Sequence, residues 1–282
     1  MQASYKFDFY QFQNFILQLK DKSIKYKNIS DLVFDNYSNI TLMTCNFNND
    51  TITGLMLQSF FKQVNWYIPT IIVDNSNTHP ISDNYKTLFN VFDNTNFKCT
   101  PDYKNASKNH ASSIDYILKN HITTDYVLLC DNDVLFKPEI LQLLQQYTNY
   151  DAIGEVGKDW CPPDRLFPYC CIINVAKFKK EHLSYFDNMR CCYEMAYPVV
   201  NKIVVNNKVI KTYNKLLFDT GASFYEDIRY EWNIHEIKLS DYIIHYQHGS
   251  SLHEKTTNKE LFNIEYDELD TFLENNKNLW MI

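Results

Sequence analysis

The run Tyr126-Val127-Leu128-Leu129-Cys130 is apolar at every position and is followed at once by Asp131-Asn132-Asp133. A strand with one wet face alternates apolar and polar side chains; this one does not, so both of its faces must be covered. That is the setting of a parallel-type strand in a sheet sandwiched by helices, and it narrows the chain to the α/β class. Two carboxylates one residue apart then emerge at the carboxyl end of the strand. In an open α/β sheet that edge is where ligands bind. Carboxylates are hard oxygen donors, suited to Mg2+ or Mn2+ carrying a phosphorylated substrate. The pattern is not an EF-hand, which would need an acid or amide at Leu135 and a glycine at Phe136.

The flanking sequence has the same rhythm. Ile40–Cys45 and Pro69–Asp74 read as strands, the second again ending in an acid. Between them Asp50 is a plausible N-cap for a helix carrying Ile52, Leu55, Met56 and Phe60. Ser107–Lys119 reads as a helix with Ala111, Ile114, Ile117 and Leu118 on one face, and Pro138 opens another with Ile140, Leu141 and Leu144. Strand and helix alternate, which predicts a sheet that is parallel over its N-terminal half and flanked by helices. Ahead of it, Phe9 to Leu19 is an aromatic-rich amphipathic stretch expected to pack on the sheet.

The second half differs. Ala152–Val156 and Cys170–Val175 read as strands, with Gly157–Pro168 as a loop between them. Lys202–Tyr213 reads as a hairpin turning at Asn206-Asn207. Phe218-Asp219-Thr220-Gly221 is a turn into a short helix holding Glu226 and Asp227. Short strands at Ile234–Leu239 and Tyr242–Tyr246 lead into His245-Tyr246-Gln247-His248-Gly249-Ser250-Ser251, and a helix is expected from Asn258. No repeat or low-complexity linker interrupts the chain, so the reading is one domain with a mixed sheet.

Composition removes several classes of function. The chain has 5 Gly, none spaced for a G-x-G-x-x-G or Walker loop, so a glycine cradle for phosphate is absent. With a net charge of −7 and no dense basic run, a bound diphosphate would need a cation to neutralise it, and nucleic acid is not an expected partner. No apolar run is long enough for a transmembrane segment, and the first residues lack a signal-peptide core, so the expected location is cytoplasmic. The 8 Cys include no C-x-x-C and read as reduced, buried thiols. Asn28, Asn39, Asn49 and Asn105 head glycosylation sequons, as expected by chance in so Asn-rich a chain. Nothing sets an oligomeric state.

The ordered series Thr41-Leu42-Met43-Thr44-Cys45-Asn46, Ile71-Ile72-Val73-Asp74-Asn75-Ser76, Ser107-Lys108-Asn109-His110-Ala111 and Leu128-Leu129-Cys130-Asp131-Asn132-Asp133-Val134 resembles the nucleotide-binding half of glycosyltransferase family 2, with its GT-A (Rossmann-like) fold. The second half is similar more loosely, through Asp219-Thr220-Gly221, the Glu226-Asp227 pair and the His245–Ser251 segment. The resemblance implies a single GT-A-like domain over 1–282, with an N-terminal helical extension at 1–38, a nucleotide-sugar-binding half at 39–150 and an acceptor-binding half at 151–282.

It also implies roles. Thr44, Asn46 and Asp74 would contact the nucleoside, with His110 near the ribose or diphosphate. Asp131 would contact ribose or metal, Asp133 would chelate Mn2+ or Mg2+, and His245 or His248 would complete the metal shell. Asp219, or failing it Asp227, would be the general base. The partners implied are a nucleotide-diphosphate sugar donor and a glycan or other hydroxyl acceptor. The expectation is an inverting, metal-dependent transferase; a retaining one, or an inactive glycan- or nucleotide-binding protein of the same fold, are the alternatives.

Overall fold

The computed structural model describes residues 7–26, 35–76, 79–93, 106–157, 164–185, 201–205, 208–213, 220–246 and 266–282. Its first half runs α1 (Phe9–Tyr26), α2 (Asp35–Ser38), β1 (Ile40–Asn46), α3 (Asp50–Val64), β2 (Thr70–Asp74), α4 (Asp83–Lys86), β3 (Asn90–Asp93), α5 (Ala106–Asn120), β4 (Tyr126–Asp131), β5 (Val134–Phe136) and α6 (Ile140–Gln146). There follow β6 (Ala152–Gly157), β7 (Arg165–Asn174), α7 (Val175–Lys180), β8 (Asn201–Val205), β9 (Lys208–Tyr213), α8 (Ala222–Ile228), β10 (Ile234–Glu236), β11 (Ile243–His245), α9 (Tyr266–Asn275) and α10 (Lys277–Trp280).

Seven strands form the central sheet in the order β3-β2-β1-β4-β7-β6-β10. Every neighbour pair is parallel except the two that β7 makes with β4 and β6. This is the expected mixed α/β sheet, parallel over its N-terminal half and flanked by helices, and it is consistent with a GT-A, Rossmann-like fold. The absence of polar alternation in β1 and β4 now has a direct cause. Ile40, Leu42, Tyr126, Leu128 and Cys130 enter one core with α1, α3 and α6, built around Phe12, Ile16, Phe60, Phe61 and Leu144. Met43, Cys45, Val127 and Leu129 enter the opposite core with Ile114, Ile117 and Leu118 of α5 and Phe178 and Phe224 beyond. Each large apolar side chain so buried contributes about 1.5–3 kcal/mol, which neither face could forgo.

Several local expectations are corrected. The N-cap of α3 is Asn49, not Asp50: its side chain accepts from Ile52 N at 3.2 Å. Asp50 is instead the acid in the first turn, where it favours the helix dipole. The strand expected from Cys170 begins at Arg165 and runs through Pro168. A proline is tolerated there because the register against β6 jumps from Gly154↔Cys171 to Val156↔Leu166, and β4 ends at Cys130↔Cys170, so Pro168 owes no ladder hydrogen bond. Two further strands were not anticipated, the edge strand β3 and the three-residue β5, both shorter than a periodicity signal can register. The hairpin is found as β8 and β9, paired antiparallel. Of the helix expected from Asn258, the described part begins at Tyr266.

The C-terminal turn docks on α3. Gln58 Nε2 donates to Trp280 O at 2.6 Å, Lys62 Nζ to Asn278 O and Met281 O at 2.7 and 2.6 Å, and Gln63 Nε2 to Leu279 O at 3.0 Å. The unpaired carbonyls at the end of α10 are thus met by side chains of one neighbouring helix. Leu55, Leu135, Leu273, Leu279 and Trp280 form a small core behind β5.

Cys45, Cys130, Cys170 and Cys171 are free and buried, as expected; Cys99, Cys161, Cys191 and Cys192 lie outside the described residues. Two sequons are spent on folding. Asn39 exchanges hydrogen bonds with Asp125, and Asn49 caps α3. Among the described residues no helix is long and apolar enough to cross a membrane.

Candidate active site

β1, β2 and β4 end together, with Asn46 level with Asp74 and Cys45 level with Asp131, so the parallel strands deliver their terminal polar residues to one edge. Beyond Asp131 the chain turns through Asn132 and Asp133 into β5. That strand pairs antiparallel with β11, His245 opposite Val134, and Tyr246 N donates to Asp133 O at 2.8 Å. This short ladder carries a histidine from far along the chain to the acid pair, with His245 Nε2 3.2 Å from Asp133 Oδ1. On the other side α5 sets His110 Nε2 3.4 Å from Asp131 Oδ1. That nitrogen is buried and has no hydrogen-bond partner, so the contact is electrostatic.

Ligand atoms of Asp131, Asp133 and His245 all lie within 4.8 Å of one another, so the three could hold a metal ion. Burial pushes the Asp131 carboxyl up and the Asp133 charge adds to it, against the pull of His110, His245 and Arg165. Burial alone would lower the His245 imidazole, but its hydrogen bond to Asp133 and the charges of Asp133 and Asp131 outweigh that, and it is raised. The His245 shift expresses the negative charge gathered at this edge, and the Asp131 shift chiefly its burial. Two carboxylate oxygens and one imidazole nitrogen are a donor set that can hold a divalent cation.

A buried hydrogen-bonded chain runs beneath the acids. Asn132 Nδ2 donates to Thr53 Oγ1 at 3.0 Å, Thr53 Oγ1 to Asn46 Oδ1 at 2.7 Å, and Asn46 Nδ2 to Asp74 Oδ1 at 3.0 Å. Asp74 also accepts from Ser76 N through Oδ1 and from Ile81 N through Oδ2, at 3.2 and 2.8 Å. Thr44, opposite Cys130 in the sheet, and Asn46 are both fully buried. Of the three residues expected at the nucleoside, only Asp74 retains any exposure, at 7%.

The face of β7 that looks toward the site carries a stack that sequence reading missed. Tyr169 lies on His245 at 4.6 Å and 18°, Phe167 on Tyr169 at 4.8 Å and 25°, and the Arg165 guanidinium over Phe167 at 5.4 Å. The period-2 spacing of Arg165, Phe167 and Tyr169 was the available signal, hidden by treating the segment up to Pro168 as loop. Asp227 is exposed on α8 and is not one of the three clustered groups, while Glu226 pairs with Arg229 at 2.8 Å. Gly221, at φ 82°, opens α8 against Tyr185 and Leu166, with no room for a Cβ beside the Tyr185 hydroxyl. Asp219 and His248 lie outside the described residues.

No protein-family model matches the chain, and no curated protein does. Solved structures do. The chain is similar to S. aureus TarS 1-349, with 13% identity and a TM-score of 0.37, covering 54% of this chain and 51% of that one. It is similar to the Pyrobaculum calidifontis mannosyltransferase PcManGT, solved with GDP-Man and Mn2+, at 10% identity and TM-score 0.39, covering 64% and 60%. It is also similar to the glycosyltransferase GlyE of Streptococcus pneumoniae, at 12% identity and TM-score 0.45, covering 82% and 53%. The chain spans about half the length of the first solved structures it matches. These overlaps are partial, and the functional reading rests on the site's own geometry.

Proposed function

We propose that the chain is a metal-dependent glycosyltransferase that moves a sugar from a nucleotide-diphosphate donor to a hydroxyl of a glycan or other acceptor, with inversion. The observation that carries this reading is the convergence of Asp131, Asp133 and His245 at the carboxyl edge of the parallel strands. On an acidic chain without a glycine cradle, that is the place where a diphosphate can be held. Mn2+ or Mg2+ bound there would supply Lewis acidity to the departing diphosphate. Asp133, Asp131 and His245 would hold it, with His248 the alternative imidazole. His110, whose Nε2 faces Asp131, would lie near the ribose or diphosphate. Asp74 would meet the nucleoside through the lone-pair capacity it keeps, and Asn46 would act through Asp74 rather than by direct contact. Thr44 would serve as floor.

The acceptor hydroxyl must lose its proton as it attacks, and a carboxylate on the far side of the anomeric carbon would take it. Asp219, which precedes Thr220 and Gly221 in the sequence, is the first candidate and Asp227 the second. Asp219→Asn is expected to lower kcat by ~10²-fold or more with donor binding kept, the range for a lost general base. A near-normal Asp219→Asn beside an inactive Asp227→Asn would exchange the two roles.

The test of the whole reading is a panel of nucleotide sugars assayed for Mn2+-dependent donor hydrolysis, followed by NMR of the product anomer. Asp133→Asn should lose metal-dependent hydrolysis and Mn2+ binding together while the fold survives by circular dichroism. Metal binding without any turnover across the panel would support a binding protein instead, and a retained anomer would replace inversion.

A further inference from the structure

We propose that Thr53 is a positioning residue that ties metal binding to nucleotide binding while touching neither ligand. The proposal rests on the reading that Asp131 and Asp133 hold a cation and that Asp74 faces the nucleoside.

The hydrogen bonds at Thr53 have only one possible direction. Asn132 Nδ2 can only donate, so Thr53 Oγ1 accepts from it at 3.0 Å. The single hydroxyl proton is then committed to Asn46 Oδ1 at 2.7 Å, leaving the Asn49 carbonyl at 3.3 Å a secondary contact. With its oxygen fixed as acceptor, the Asn46 amide must turn both of its protons the other way. They go to Asp74 Oδ1 and to Ser76 Oγ, each at 3.0 Å. Thr53 thus sets the orientation of an amide that, with Ser76 N and Ile81 N, holds the Asp74 carboxylate.

At the other end Asn132 stands between the two acids. Its side chain is drawn down onto Thr53 and is 2% exposed. Asn132 lies in the turn that separates β4 from β5, so fixing its side chain on Thr53 holds the turn that carries Asp131 on one side and Asp133 on the other. The chain from Asn132 to Asp74 is buried throughout, with Thr53 and Asn46 at zero exposure. In so dry a setting each bond polarises the next, and a link lost in the middle is felt at both ends. Thr53 is in the first turn of α3, whose N-cap and dipole fix it independently of either ligand.

The experiment compares wild type, Thr53→Val and Thr53→Ser in the full chain. Mn2+ affinity is read by electron paramagnetic resonance of free Mn2+. Affinity for UDP and GDP is read by calorimetry in EDTA, where no metal can bridge to the phosphates, and stability is read by urea unfolding. Thr53→Val is expected to weaken Mn2+ binding by ~10-fold or more, the range for partners that orient ligands from behind. It should also weaken binding of whichever nucleotide the wild type takes, and Thr53→Ser, which keeps the hydroxyl, should restore both. A purely structural role would lower the urea midpoint and leave the two affinities in place, and that result overturns the proposal. So does a loss confined to one ligand. If Thr53→Val does not fold, Thr53→Ala carries the same expectation. A wild-type chain that binds neither Mn2+ nor a nucleotide defeats the functional reading itself; one that binds both, with Thr53→Val unchanged, defeats only this inference.

Discussion

His245 is oriented by contacts at its edge and on its face. Asp133 meets its Nε2 edge at 3.2 Å, and the Tyr169 ring covers its face at 4.6 Å, itself backed by Phe167 and Arg165. An imidazole that can rotate makes a poor ligand, so the stack should matter to metal affinity although Tyr169 is not a ligand. A stacked aromatic pair is worth about 0.5–1.5 kcal/mol beyond its buried area, which is roughly 2–13-fold in a binding constant. Tyr169→Leu is therefore expected to weaken Mn2+ binding by that factor, and Tyr169→Phe to leave it near wild type. Equal losses in both variants would assign the effect to the hydroxyl instead. At this scale the sequence was legible where a residue's role follows from its own chemistry. Asp131, Asp133 and Asp74 end apolar strands and could be singled out on that ground alone. His245 could be linked to them only through the resemblance, because the β5–β11 ladder that joins them spans three residues on each side. Nothing singled out Asn132 or Thr53, since a buried hydrogen-bonded chain leaves no periodic trace.

Among the elements, α3 does the most to hold the site together. It supplies Thr53, its Ser59 Oγ accepts from Phe136 N in β5 at 3.1 Å, and its far side receives the C-terminal turn. Its position was legible because Ile52, Leu55, Met56 and Phe60 keep helical spacing; its interior Gly54 has no explanation in propensity. The structure supplies one. A Cβ at Gly54 would collide with the Phe7 ring and the Tyr85 hydroxyl. Phe7 is only partly buried, but Tyr85 is fully buried, donates to Asp50 O at 2.6 Å and packs on Phe9. Gly54→Ala sets a helix-propensity gain of about 0.5–1 kcal/mol against an overpacking cost of about 1–3 kcal/mol. Net destabilisation is expected, as a lower melting temperature with a displaced Tyr85. A rise in melting temperature would show that α1 and Tyr85 move aside freely. The strands of the second half were harder to read than α3 because β7 reverses direction and breaks its register around Pro168, and a one-dimensional pattern carries neither fact.

The molecule as a whole puts four thiols inside a sheet covered on both faces, and this makes its stability depend on alkaline pH. All four are pushed up by burial, Cys170 to about 12, with the Asp131 charge adding to it in each and neighbouring thiols adding further at Cys130 and Cys171. Tyr85 and Tyr185 are raised by burial as well. In the unfolded chain a thiol loses its proton near ~8.5, whereas the native state keeps it. Below that value the two states hold the same proton and no stability is at stake. Above it unfolding releases a proton that the native state still binds, so stability falls as pH rises toward the folded value. Each thiol contributes a slope of about 1.4 kcal/mol per pH unit in that window. Urea unfolding under reducing conditions should therefore show only the shallow loss that the raised His245 imidazole gives above ~6.5, then a steep decline from ~8.5 upward, steepening again near ~10 as tyrosines join. Cys170→Ala should lower the whole curve through the cavity it leaves, yet flatten its alkaline limb by one thiol's share. A midpoint unchanged up to pH 10 would mean that these thiols ionise within the folded protein, and so that the sheet between the two cores is open to water.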